Sequence, residues 1–126
     1  MGLTALLLIA HGSRQPEANA DLHYLADDLR RRGHPLVVPA YLELEAPDID
    51  EGARLCVEQG ASVLVLVPYF LSAGVHVRRD LAAARERLAE RYAGVEVRLA
   101  GPLGQHPLLA EVVADRVREA LPSCPT

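Results

Sequence analysis

Three residues that could bind a metal each follow a short apolar run of this sequence: His11, Glu43 and His76. Runs of this kind are typical of buried β-strands. If they are parallel strands of one sheet, the three side chains project from the edge formed by the carboxyl ends of the strands. Open α/β sheets bind their ligands at this edge. Two imidazoles and one carboxylate there predict a site for a divalent transition metal.

Polar and basic residues beside the two histidines could bind an anionic ligand. Ser13 and Arg14 come shortly after the first histidine, so a hydroxyl could donate a hydrogen bond and a guanidinium could bind a carboxylate. Arg78 and Arg79 come shortly after the second histidine. They could form a solvated helix face, or one of them could face the cleft and pair with an acidic substrate. Because the sequence contains no lysine, any cationic side chain that binds an anion here is a guanidinium, which suits carboxylates and phosphates.

The segment 69–76 that leads to the second histidine is longer than a tight βα turn and is partly apolar. Such a loop suits one wall of a substrate site, and Ser72 within it is a candidate for binding the substrate. Tyr41, Tyr69 and Phe70 could stack on a flat ligand, although aromatic residues at strand ends are more often part of the core. These residues complete the set of candidates for substrate binding.

Several assignments have simpler alternatives. Glu45 competes with Glu43 for the role of carboxylate ligand, and the spacing does not separate them. The two candidate histidines could also be incidental, one in a polar loop and the other at a helix start with a local hydrogen bond. The remaining histidines are expected at the surface or at a helix start: His23, His34 and His106.

The apolar runs alternate with amphipathic stretches four times along the chain. Their near-continuous Val, Leu and Ile content suits strands buried on both faces of a parallel sheet. The stretches carry apolar residues at helical spacing, and the last one contains Leu109, Val112, Val113 and Val117. The sequence therefore predicts an α/β fold with a four-stranded parallel sheet flanked by helices. A flavodoxin-like strand order, 2-1-3-4, would make the first three strands neighbours. The predicted strands are residues 4–10, 36–42, 62–69 and 95–100.

The size and charge of the chain restrict its class. Its 126 residues, half of them apolar, predict a single domain over residues 1–126. A net charge of −4 and a pI of about 5.7 favour neither nucleic acid nor anionic membranes as a partner. Cys56 is expected in the core and Cys124 in the tail, so no disulfide framework is expected. Together with the lack of a leader or membrane-spanning pattern, this predicts a cytoplasmic protein.

Four segments of the sequence together carry a resemblance to a known family and span most of the chain. They are residues 10–14 (AHGSR), 40–43 (AYLE), 67–71 (VPYFL) running to 74–78 (GVHVR), and 102–108 (PLGQHPL). This combination resembles the sirohydrochlorin chelatases, specifically their small, single-domain cobaltochelatase type. Any one of the segments would be a weak match, whereas the joint pattern is quite specific.

The resemblance implies a reaction. Sirohydrochlorin is a planar tetrapyrrole that carries eight carboxylates, and insertion of a divalent metal exchanges two pyrrole N–H protons for the metal ion. By this resemblance His11 and His76 hold the metal or accept the protons, and Glu43 completes the ligand set or passes a proton onward. The arginine candidates would bind the carboxylates of the ring. Cobalt is the expected metal, for cobalamin synthesis, with iron for siroheme or nickel for another corphin-type cofactor as the alternatives.

The resemblance also implies how the protein assembles and what it holds. Small members of the family are expected to form homodimers that build a cleft from two half-size domains, whereas larger relatives carry both halves on one chain. At 126 residues this sequence fits the small class. The metal is a substrate, so no permanently bound cofactor is expected, and the expected partners are sirohydrochlorin, the metal ion and a second copy.

Other functions remain compatible with the same residues. Two histidines and one glutamate can also hold a catalytic zinc ion in a hydrolase, although the sequence lacks an H-E-x-x-H helix. A histidine followed by glycine at a strand end could belong to a phosphohistidine enzyme, although Ala10 stands where that chemistry usually has an arginine. A metal-carrying or signalling flavodoxin-like module is the non-enzymatic alternative.

Overall fold

Strands and helices alternate along the computed structural model, which describes residues 2–122. Within this range no helix is long and apolar enough to cross a bilayer. Cys124 lies outside the described residues. The strands are β1 (Leu3–Ala10), β2 (Leu36–Tyr41), β3 (Ala61–Pro68) and β4 (Glu96–Leu99), and the helices are α1 (Pro16–Arg31), α2 (Ile49–Glu58), α3 (Val75–Arg91) and α4 (Leu108–Ala120).

All four strands are parallel, and their order in the sheet is β2-β1-β3-β4. The predicted fold class and strand order are therefore confirmed. The register pairs Ala10 with Tyr41 and Ile9 with Pro68. Because β1 has a neighbour on each side and the three strands end in register, the loops that follow them leave the sheet at the same edge.

Helices cover both faces of the central strand. Helix α1 packs Leu22 and Ala26 against one face, in a cluster with Leu8 of β1. Helices α2 and α3 cover the other face, where Leu7 of β1 and Leu66 of β3 are fully buried. This explains why β1 contains almost no polar residue, since a side chain on either face of it enters a core.

Cys56 of α2 lies in the core on this second face, as expected from the sequence. Its thiol is fully buried, and burial raises the pKa of the thiol to about 11 because the thiolate would be desolvated. The thiol is therefore protonated at neutral pH, and Cys56 acts as a packing residue.

Helix α4 differs from the other three because none of its residues is buried. The apolar stripe that the sequence predicts for this helix is present, but Val112 and Val117 are each 50% exposed and Val113 is 61% exposed. Within residues 2–122, α4 makes no substantial contact with another helix or strand. Its stripe therefore does not pack on the core of the described residues.

Helix α2 begins at a side-chain cap. The Asp48 carboxylate accepts a hydrogen bond from the backbone N–H of Glu51 at 2.8 Å, which satisfies a donor that has no partner within the helix. The cap fixes the point at which the long loop after β2 becomes helical.

We expect Asp48→Ala to lower the free energy of unfolding by about 1 kcal/mol, because the N–H of Glu51 loses its acceptor. Asp48→Asn is the matched control, since asparagine caps helices about as well as aspartate does. Urea unfolding followed by circular dichroism measures both variants. Equal losses in the two variants would show that the charge of Asp48, and not its cap, stabilises the helix.

Candidate active site

His11 is the first residue after β1, and its side chain is exposed at the carboxyl edge of the sheet. Its imidazole contacts the ring of Phe70 edge to face, with the ring centroids 4.8 Å apart and the planes at 80°. Phe70 is largely buried and lies just after β3, in the loop that leads to His76. The contact therefore connects the first candidate histidine to the loop that carries the second.

The backbone also connects His11 to the loop after β2. The carbonyl oxygen of His11 accepts a hydrogen bond from the N–H of Glu43 at 3.0 Å. Gly12 lies in the loop after β1, where it packs against the loop after β2. It has a φ of +92°, and a Cβ on it would lie 1.8 Å from the carbonyl oxygen of Glu43. The close approach requires glycine at this position. The structure thus brings His11 and Glu43 together, as predicted.

The two competing carboxylates are in different situations. Glu45 accepts hydrogen bonds from the amide of Asn19 at 3.1 Å and from the backbone N–H of Ala46 at 3.0 Å. The side chain of Glu43 is exposed and makes no hydrogen bond within residues 2–122. Glu45 is occupied in holding its loop, so Glu43 is the carboxylate that is available for a ligand.

His76 lies in the first turn of α3 and is exposed. Among the described residues, no group of three or more His, Cys, Asp or Glu side chains is arranged to hold a metal ion. The predicted ligands therefore do not form a ready-made three-residue site. The assignment of His11, Glu43 and His76 as metal ligands stays a prediction.

The arginines divide into those that have a partner and those that do not. Within residues 2–122, eight of the thirteen arginines form ion pairs, Arg85 donates a hydrogen bond to the carbonyl of Val97, and Arg91 stacks on Tyr92. Three exposed arginines have no such partner among the described residues: Arg14, Arg78 and Arg79. These are the three that the sequence predicts as substrate ligands. The paired ones are Arg30, Arg31, Arg32, Arg54, Arg87, Arg98, Arg116 and Arg118.

The unpartnered arginines all lie near the carboxyl edge of the sheet, because one is in the loop after β1 and two are among the first five residues of α3. Arg78 also lines a cavity of about 270 Å³ together with Pro68, Leu99 and Pro102. A larger groove of about 550 Å³ continues from Pro102 along the start of α4. The edge therefore combines positive charge with concave apolar surface.

The other residues predicted to bind the substrate differ in their exposure. Ser72 is exposed in the loop after β3, and the Ser13 hydroxyl oxygen accepts a local hydrogen bond from the N–H of Gln15 at 3.0 Å. Their roles in binding stay predictions. Tyr41 is only 1% exposed, and burial together with the nearby Glu45 raises the pKa of its phenol. This burial argues against the predicted contact with substrate and assigns Tyr41 a packing role instead.

One residue of the site was missed in the sequence. Asn19 in the first turns of α1 is 6% exposed and forms hydrogen bonds with the loop after β1 and with the loop after β2. The sequence does contain a pattern that could have identified it. Asn19, the only asparagine of the chain, lies three and seven residues before Leu22 and Ala26, so it shares their helix face. A polar residue on an apolar helix face indicates a buried hydrogen-bonding role.

Comparison with known proteins shows which family this chain belongs to. A sequence model of the family described as CbiX matches residues 5–120. The chain belongs to the CbiX family. The resemblance to the sirohydrochlorin chelatases that the motifs indicate is thereby confirmed.

This CbiX chain is 36% identical over 117 residues to the chloroplastic sirohydrochlorin ferrochelatase of Arabidopsis thaliana, in an alignment that covers 92% of the chain and 52% of that protein. It is 32% identical over 119 residues to the sirohydrochlorin cobaltochelatase of Sulfolobus acidocaldarius, with 94% of both covered. It is also similar to the crystal structure of the sirohydrochlorin chelatase SirB from Bacillus subtilis subspecies spizizenii in complex with cobalt. The TM-score is 0.84 at 27% identity, over 94% of this chain and 51% of that one.

The CbiX chain thus spans about half or less of the length of several relatives, but nearly the whole length of the Sulfolobus protein. Relatives named for iron and for cobalt both match it. The comparisons therefore establish the family without selecting a metal.

We expect Gly12→Ala to destabilise this CbiX chain more than Gly33→Ala does. Both glycines have positive φ, at +92° and +103°, so alanine is strained by about 1–2 kcal/mol at either one. Only at Gly12 does the new methyl group also collide with a backbone atom, since nothing lies within 4 Å of it at Gly33. Urea unfolding of both variants measures the difference. Equal losses would show that the loop after β2 moves away from Gly12 freely.

Proposed function

We propose that this protein inserts a divalent metal ion into sirohydrochlorin. The observation that carries the proposal is the placement of the three arginines without partners, Arg14, Arg78 and Arg79, at the edge that also presents His11 and His76. The other arginines of the described structure each pair with a carboxylate, bond a backbone carbonyl or stack on a tyrosine, so free guanidinium groups at this edge indicate a polyanionic ligand. A tetrapyrrole with eight carboxylates is such a ligand, and CbiX membership supports it.

The reaction requires a metal ion to enter the ring and two protons to leave the pyrrole nitrogens. Unprotonated imidazoles can hold a divalent ion loosely or accept a proton, so His11 and His76 are suited to either part of the exchange. Glu43 lies beside His11 through their shared backbone hydrogen bond and has a carboxylate with no other task. It would complete the ligand set or receive a proton from the imidazole.

Cobalt is the metal we propose as the physiological substrate. Relatives named sirohydrochlorin cobaltochelatase support this choice, among them those of Sulfolobus acidocaldarius at 32% identity and Priestia megaterium at 33% identity. Affinity alone would not choose among cobalt, iron and nickel, because selectivity in cells follows the supply of metal and the geometry of the site. A cytoplasmic location is part of the same proposal.

The partner we propose is a second copy of the chain, with the apolar stripe of α4 in the interface. The chain exposes 8404 Å², whereas a compact monomer of 13.6 kDa is expected to expose about 6,600 Å². The additional exposed area is larger than the roughly 800 Å² of surface that one partner buries in a standard interface. Leu108, Val113 and Leu121 of this region are each more than half exposed, as an uncovered interface would be.

We expect His11→Ala and His76→Ala to reduce metal insertion to the rate without enzyme, because each removes an imidazole that binds the metal or accepts a proton. An anaerobic absorbance assay with sirohydrochlorin and Co²⁺, Fe²⁺ or Ni²⁺ measures the rates and ranks the metals. His34→Ala is the control, since His34 is exposed just before β2 and therefore lies near the opposite edge of the sheet.

Two results would contradict the proposal. If folded protein accelerates insertion of none of the three metals, it is not a chelatase, and the hydrolase or metal-carrier alternatives become the better interpretation. If the histidine variants lose their circular dichroism signal while His34→Ala keeps it, the histidines stabilise the fold instead of acting in the reaction.

We expect Val113→Glu to convert the dimer to a monomer, because it places a charge in the centre of the proposed apolar interface. Val113 is already 61% exposed in the single chain, so the monomer itself should lose little stability. Sedimentation velocity at micromolar concentration measures the assembly state. Glu111→Gln on the opposite side of α4 is the control, and a variant that sediments like the unchanged protein would place the interface elsewhere.

A further inference from the structure

Asn19 is the one buried polar side chain in the core of the described residues. All of its amide groups are used. The oxygen accepts a hydrogen bond from the backbone N–H of Ser13 at 3.0 Å, and the nitrogen donates to the carbonyl of Ser13 at 2.8 Å and to the carboxylate of Glu45 at 3.1 Å. The buried amide is held in one orientation, because rotation of it breaks all three bonds at once.

The partners of Asn19 belong to the two loops that carry the proposed reacting groups. Ser13 is two residues after His11, and both of its backbone polar groups are held by the one amide. Glu45 is two residues after Glu43, so the same side chain also fixes the loop after β2. Helix α1 thus holds the two loops in one arrangement through a single residue.

A third contact comes from the end of β2. The phenol of Tyr41 donates to the backbone carbonyl of Asn19 at a distance of 3.4 Å. Burial and the adjacent Glu45 raise the pKa of Tyr41, so the phenol stays neutral and keeps its proton for donation. The buried tyrosine therefore fixes the backbone of Asn19, as the amide fixes the loops.

We propose that Asn19 is the positioning residue that sets the placement of the His11 imidazole relative to Glu43 and Phe70. A catalytic role for this placement rests on the proposed chelatase function. The placement of the imidazole does not rest on that function, because it depends only on the hydrogen bonds from Asn19 to the two loops. Without them, the His11 loop would keep its backbone bond to Glu43 but would lose both bonds that hold Ser13.

The test uses Asn19→Asp, which preserves the shape of the side chain and its acceptor for the Ser13 N–H but removes both donors. The new carboxylate would also face the carboxylate of Glu45, which favours separation of the loops. Asn19→Ala removes all three bonds. Gln59→Ala is the matched control, because it removes an exposed amide at the end of α2 that contacts neither loop.

The first measurement is the proton NMR shift of the His11 ring. The ring lies edge-on at 4.8 Å from Phe70, the only phenylalanine in the chain, so its protons experience the ring current of that residue. Spectra of His11→Ala assign the signal, and spectra of Phe70→Leu give its position without the ring current. We expect Asn19→Asp and Asn19→Ala to shift the signal most of the way to the Phe70→Leu position, and Gln59→Ala to leave it unchanged.

The second measurement is insertion kinetics. We expect kcat to fall about 100-fold in Asn19→Asp with a much smaller change in KM, since displacement of a reacting group by about 1 Å costs on that order. Arg78 and Arg79 lie on α3 and make no contact with Asn19, whereas Arg14 follows Ser13 in the held loop, so KM should rise by much less than kcat falls. Loss of kcat together with an unchanged His11 signal in folded Asn19→Asp would overturn the proposal, as would an unchanged kcat.

A variant at Glu45 keeps the test decisive if the variants of the buried Asn19 do not fold. Glu45→Ala changes an exposed side chain and keeps both bonds between Asn19 and Ser13, while it removes the bond from the Asn19 amide and the local bond from the N–H of Ala46. We expect a smaller displacement of the His11 signal in the same direction, and no displacement would overturn the proposal. If the unchanged protein inserts no metal, the chelatase function fails, whereas the NMR result still decides whether Asn19 positions His11.

Discussion

The structure depends on the burial of β1 between two parallel neighbours and between two layers of helices. Beyond Thr4 near its start, β1 carries no polar side chain, because each face enters an apolar core. Its next polar residue is His11, where the strand ends. The register with β2 and β3 places the loops after those strands at the same edge, so the chemistry of the protein gathers there as a consequence of how its core is built.

The surface charges reinforce this division. Over most of the described surface, arginines neutralise carboxylates of the same helix or of a neighbouring element, and such exposed pairs contribute little stability. Their effect is to leave little free positive charge away from the site among the described residues. At the carboxyl edge the pairing stops at Arg14, Arg78 and Arg79, and the positive potential is then available to a ligand. The overall negative charge of the chain does not reveal that these unpaired guanidinium groups lie together at one edge.

Much of this arrangement is predictable from the sequence, for physical reasons that differ among residues. The strands are recognisable because burial on both faces demands continuous apolar residues, and His11 is recognisable because it ends such a run. The spacing does not show which of Glu43 and Glu45 is free to bind a ligand. What distinguishes them is the hydrogen bond that Glu45 accepts from Asn19, which is 26 residues away in the chain. Tyr41 shows a related limit: an aromatic residue at a strand end can face the core or a ligand, and the packing of α1 against Tyr41 is not readable from the sequence.

The exposed stripe of α4 has a consequence for how the end of the chain folds. An isolated helix of about 12–15 residues is marginal in water, and α4 has 13 residues. Its ion pairs, Arg116 with Glu119 and Arg118 with Asp115, add only tenths of a kcal/mol each. Most helices obtain their stability from tertiary packing, and this one must obtain it from whatever covers its stripe. In the proposed dimer, the order of the last helix is thermodynamically linked to protein concentration, and dilution should loosen it before the sheet is affected.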